Sequence, residues 1–119
     1  MIKISRGRLV LAAFCLASSA CAGTNSPSAA TLANPITVEV LGIHGGRSFS
    51  PNPSTLPEGQ MVIWHNLDIY THHVLLDDGS VDTGELRPGA SSAPMPIGTP
   101  GSYHCTIHPL MVGTITRGT

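Results

Sequence analysis

The chain has 119 residues, of which 11% are charged and 4% aromatic, and a formal charge of −1. That length gives room for one packed domain and too little for two. The near-neutral balance argues against a nucleic-acid partner, which would call for a basic face.

The first residues read as an export signal. Lys3, Arg6 and Arg8 make a positive start, Leu9 to Ala17 is an apolar run, and Ser18-Ser19-Ala20 offers small residues for cleavage. The apolar run is too short for a permanent membrane span. Cleavage beside Cys21 admits two outcomes: ordinary removal, or a lipoprotein signal in which Cys21 takes a lipid anchor. Ser18 stands where a lipoprotein signal usually has leucine. The boundaries expected are a signal over 1–21, a linker over 22–34 and a folded domain over 35–119. The linker composition, rich in Ser, Ala, Thr, Asn and Gly, is that of a solvated tether.

From Ala22 onward three arginines stand against seven carboxylates, a net charge of −4. A mildly acidic surface of this kind favours a partner with a basic docking face. Cys15 leaves with the signal and Cys21 lies before the domain, so Cys105 is alone within it. In an oxidising compartment such a thiol must be buried or metal-bound to survive.

Within the domain no helical periodicity appears. Ile36 to Leu41 alternates apolar with polar, as a half-buried strand does. Ser48-Phe49-Ser50 runs into Pro51-Asn52-Pro53, where the prolines cannot donate to a ladder. After the Pro57 to Gln60 turn, Met61 to Asn66 is a strand with Val62, Trp64 and Asn66 on one face. His72 to Leu76 follows and ends at Asp77-Asp78-Gly79. Ala90 to Met95 reads as an edge strand, Pro100-Gly101 opens the strand ending at Cys105, and Val112 to Arg117 closes the domain. Seven or eight short strands without helices predict an all-β, Greek-key, antiparallel two-sheet sandwich. Its expected core is Val38, Val40, Phe49, Val62, Trp64, Val74, Leu76 and Ile115.

The chemistry sits in Tyr103-His104-Cys105-Thr106-Ile107-His108-Pro109-Leu110-Met111, where thiol, imidazole and thioether recur three residues apart. These donors suit copper cycling between two oxidation states, with a further imidazole from His72. Zinc could use the same donors but gains little from a thioether.

This loop resembles the C-terminal ligand loop of the cupredoxins, the type 1 or blue copper proteins, and its spacing is most similar to that of amicyanin. Phe49-Ser50-Pro51-Asn52-Pro53, Val62-Ile63-Trp64-His65-Asn66, Asp68 four residues before His72, Asp82-Thr83-Gly84, Pro88-Gly89 and Pro100-Gly101 extend the likeness over nearly the whole domain. The resemblance implies one copper ion held by His72, Cys105, His108 and Met111. It selects His72 over His73, because the family's ligand lies eight residues after the strand aromatic and two before the valine. It also implies that His108 is the electron port, and that the domain is a monomer meeting its redox partners transiently. Such partners would be of the c-type cytochrome class, or copper or quinone dehydrogenases or reductases.

Two departures from the family pattern carry expectations. His73 stands where the family often has Asn, Ser or Thr, and its side chain is expected to reach the Thr106 hydroxyl or nearby backbone and so support the loop. The strand before Cys105 is about two residues shorter than in amicyanin, so a bulge is expected there. The roles of His44, His65, His73 and His104 stay open, and a weak second metal site among them is conceivable. The expected function is single-electron shuttling outside the cytoplasm, in the periplasm or on the outer face of the envelope, without enzymatic chemistry. The alternative is a copper chaperone or store.

Overall fold

In the computed structural model, residues 33–119 are described. The signal over 1–21, Cys21 and nearly all of the 22–34 linker lie outside them. Among the described residues no helix is long and apolar enough to cross a membrane.

Nine strands form in chain order: β1 (Ile36–Val40), β2 (Phe49–Ser50), β3 (Ser54–Leu56), β4 (Met61–Asn66), β5 (His72–Leu76), β6 (Asp82–Leu86), β7 (Met95–Pro96), β8 (Ser102–Cys105) and β9 (Val112–Arg117). One sheet has the order β2-β1-β4-β7 and the other β3-β9-β8-β5-β6. The all-β two-sheet expectation holds, with two differences. Two of the nine strands have only two residues. The sheets are also mixed rather than purely antiparallel, since β1 pairs with β4 and β3 with β9 in parallel. The reason lies at Pro51-Asn52-Pro53. There the chain leaves the first sheet after β2 and enters the second as β3, through residues that cannot continue a ladder.

The period-two pattern of β4 buries Val62, Trp64 and Asn66, and that of β5 buries His72, Val74 and Leu76. All eight expected core residues are buried, joined by Leu56, Val81, Leu86, Ile97, Tyr103, Cys105 and Met111. Tyr103 lies between the sheets, edge-on to Phe49 with ring centroids 4.8 Å apart and to Trp64 at 5.8 Å. Each buried aromatic contributes on the order of 2–3 kcal/mol of burial free energy, and such edge contacts add about 1 kcal/mol. β9 makes room for that ring at Gly113, where a Cβ would stand 2.2 Å from Tyr103 Cζ. Burial pushes the Tyr103 phenol well above its ordinary pKa, because the charged form would lose its water.

The bulge expected before Cys105 is not there: β8 pairs in regular register with β5 and with β9. The irregularity falls between β5 and β6, where the register shifts between His73 and Leu75. The Val74 N–H there donates to the Thr83 hydroxyl at 2.9 Å instead of to a ladder carbonyl.

Candidate metal centre

β8 ends at Cys105 and β9 begins at Val112, so the six residues between them form the connection of a hairpin. Backbone bonds fix its shape. The Cys105 N–H donates to the Met111 carbonyl at 3.0 Å, and the Met111 N–H to the His108 carbonyl at 2.9 Å. Thr106 N–H donates to the His73 carbonyl at 2.8 Å, which ties the loop to β5. Pro109 removes a soft torsion beside His108. Cys105 and Met111 are fully buried, while His108 is half-buried.

His72 comes to this loop as the first residue of β5 and is fully buried. Its Nδ1 lies 3.7 Å from Cys105 Sγ and 3.3 Å from His108 Nδ1, and the His108 Nδ1 to Cys105 Sγ separation is 3.8 Å. A circle through atoms so spaced has a radius of about 2.1 Å. Metal–imidazole bonds are about 2.0–2.1 Å and metal–thiolate bonds about 2.3 Å, so one ion fits among the three. Among the described residues these three form the one group of at least three His, Cys, Asp or Glu donors close enough to hold an ion. A thiolate with two imidazoles suits copper and zinc chemically. The backbone N–H of His73 points at Cys105 Sγ from 3.5 Å.

The turn before His72 is organised by Asn66. Fully buried, it donates through Nδ2 to the carbonyls of Tyr70 at 2.7 Å and Leu86 at 2.8 Å, and accepts the Asp68 N–H at 2.9 Å. Asp68 then accepts the Ile69 N–H at 2.7 Å, and its Oδ2 lies 2.8 Å from His72 Nε2. Burial opposes the Asp68 charge, but the hydrogen bonds from His72 and Ile69 and the nearby imidazoles outweigh it and hold the carboxyl below its usual value. The sequence offered a sign of this contact, an Asp four residues before a ligand candidate after a buried Asn. Spacing alone did not say that the carboxylate touches the imidazole.

The remaining histidines go elsewhere. The side chain of His73 does not reach Thr106, as the sequence suggested; its Nε2 is hydrogen-bonded to the Asp82 carboxylate on the neighbouring strand. The Gly84 N–H first, and then His73, hold that carboxyl below its ordinary value. His104 pairs through Nδ1 with Asp77 at 2.7 Å, His65 is half-buried on β4, and His44 is exposed in the β1–β2 connection.

No protein-family model matches the chain, and neither does any curated protein. Solved structures do resemble it. A copper(I) amicyanin variant superposes with a TM-score of 0.59 at 17% identity, over 72% of this chain and 84% of that one. A reduced amicyanin variant gives 0.59 at 19% identity, over 71% and 83%. A copper-containing nitrite reductase from Thermus scotoductus SA-01 gives 0.57 at 27% identity, over 71% of this chain but 22% of its own. Strand order, the donor-bearing hairpin and these likenesses together give this chain the cupredoxin fold.

Proposed function

We propose that this chain is a small exported blue copper protein that carries single electrons between redox partners and does no chemistry on a substrate. The observation that supports it most is the triangle of His72 Nδ1, Cys105 Sγ and His108 Nδ1, sized for one ion and mostly shielded from water. Met111 is the fourth, weak donor: it is buried, and its backbone closes the same loop onto Cys105. Thioether, thiolate and imidazole form the combination that favours copper over zinc. Copper supplies the Cu(I)/Cu(II) couple. The chain supplies stiffness, because the loop is tied to β5 and closed on itself, so little moves when the electron arrives or leaves.

His108 is the port. It opens onto a shallow apolar depression of about 260 Å³ shared with Ile43, Ile107, Pro109 and Leu110. Leu110 is 78% exposed and Ile107 45%, an apolar rim suited to brief contact with another protein. Asp77, Asp78, Asp82 and Glu85 would steer a basic partner, of the c-type cytochrome, dehydrogenase or reductase class, without adding much affinity.

The test is electrochemical. The copper-loaded chain should give a reversible one-electron wave and keep its metal in both states against a competing chelator. Copper(I) that passes readily to the chelator, with no reversible wave, would instead support the chaperone or store.

A further inference from the structure

Every large apolar side chain exposed among the described residues lies at one end of the sandwich. β1 runs parallel to β4, and β5 antiparallel to β8, so the β1–β2, β4–β5 and β8–β9 connections come together there. Leu41 and Ile43 stand on the first, Ile69 and Tyr70 on the second, and Ile107 and Leu110 on the third, with Leu67 and Val112 beside them. The connections touch one another. The Leu67 N–H donates to the Val40 carbonyl at 2.9 Å, and a Cβ on Gly45 would stand 4.0 Å from the Leu110 carbonyl oxygen. The Tyr70 and His108 rings meet edge-on with centroids 6.5 Å apart. The patch is therefore continuous, and it exposes on the order of 800 Å². The largest patch on a typical monomer is roughly 300–600 Å², whereas one partner in a stable interface gives up about 800 Å².

Shape and charge point to the occupant. Ile69, 76% exposed, and Tyr70 form a projection beside His108. The depression of about 260 Å³ with Ile43, Ile107 and Leu110 also borders His108 and includes neither of them. The only charged residues in the three connections are Arg47 and Asp68, and Asp68 is engaged with His72. Two such faces can thus meet without opposing free carboxylates, although the domain as a whole is acidic. We propose that this end pairs with the same end of a second copy, about a twofold axis beside His108. A projection next to a depression is self-complementary under that axis, so Ile69 and Tyr70 of each copy seat in the depression of the other. The second copy covers His108, the half-buried member of the triangle. The pair is a closed form, and only the monomer exchanges electrons with other proteins. That last step rests on the copper reading above; the pairing does not.

The zinc-loaded full chain, which has no redox chemistry, isolates the pairing. Sedimentation equilibrium should show a monomer–dimer equilibrium as concentration rises to about 1 mM. Ile69→Asp and Leu110→Glu change exposed side chains. Each substitution occurs twice in the pair, so each should weaken it on the order of 100-fold. Added salt should leave the pair intact or tighten it, the opposite of a charge-steered encounter. In the copper-loaded protein the electron-transfer rate per copper to a protein partner should fall as the chain's own concentration enters the dimer range, and should stay level in Ile69→Asp. A chain that stays monomeric to about 1 mM would overturn the proposal, as would dimers that persist unchanged in both variants. So would a monomeric chain that binds neutral phosphatidylcholine vesicles through the same two residues, which would assign the face to a lipid surface. A pair that forms with zinc while the copper-loaded protein gives no reversible wave would uphold the pairing and count against electron transfer.

Discussion

Truncating Asn66 to alanine tests how the fold holds the first ligand. The side chain is fully buried and makes three hydrogen bonds, to the carbonyls of Tyr70 and Leu86 and from the Asp68 N–H. Its bond to the Leu86 carbonyl lies in the interior, so losing it strands a buried acceptor at a cost of about 1–3 kcal/mol. The partners at Tyr70 and Asp68 are nearer the surface and can recruit water, and each lost bond there costs about 0.5–1.5 kcal/mol. The total is about 2–6 kcal/mol, a large share of the stability of a domain this size. Denaturant unfolding of the metal-free protein should show the midpoint falling with little change in slope. The turn carrying Asp68 would loosen, so zinc affinity should fall as well. A loss of stability below about 1 kcal/mol would refute the claim that Asn66 organises this turn.

Gly113→Ala drives a methyl group into the Tyr103 ring and should cost about 1–3 kcal/mol by overpacking; a Tyr103→Leu partner mutation should recover part of it in a double-mutant cycle. Tyr103→Phe removes a buried hydroxyl that, among the described residues, has no hydrogen-bond partner, so thermal unfolding at neutral pH should show stability unchanged or slightly raised. Because the folded phenol titrates above its unfolded value, its contribution is intact below the ordinary phenol pKa of 10.0 and is lost as pH rises beyond it. Tyr103→Phe should therefore flatten the decline in melting temperature on the alkaline side. Leu110→Glu places a charge on the apolar rim beside His108 and should slow electron exchange with a protein partner while leaving the visible spectrum unchanged. The wild-type rate should itself fall as salt rises, as expected if the acidic residues steer the encounter.

Much of this architecture was legible because its signals are local. Met61–Asn66, His72–Leu76 and Val112–Arg117 are short runs bounded by turn residues and form strands over those residues, with side chains alternating between core and surface. Ser54–Leu56 and Asp82–Leu86 carry no strand signal in the sequence. The first is three residues long and follows a proline; the second is an edge strand with Gly84 in its middle and mostly exposed side chains, so it carries no alternation. The parallel pairs could not be read either, since they arise from the chain changing sheets rather than from any strand's own pattern. Cys105, His108 and Met111 stood out by their spacing, whereas choosing His72 over His73 needed the family likeness. The reading of His73 failed because its side chain points to the outer face of the sheet, beside Asp82. Its backbone, not its imidazole, meets the loop: its carbonyl accepts the Thr106 N–H and its own N–H faces the Cys105 sulfur.

In the proposed function three donor atoms from two separate stretches of chain hold one copper ion, with Met111 as a fourth, weak donor. Visible and electron paramagnetic resonance spectra of the oxidised, copper-loaded protein test this most directly, beside the same spectra of Cys105→Ser. An intense blue thiolate-to-copper band with narrow copper hyperfine splitting, both lost in Cys105→Ser, is the predicted result. A pale solution with the wide splitting of ordinary copper–nitrogen sites, the same in both proteins, would contradict it.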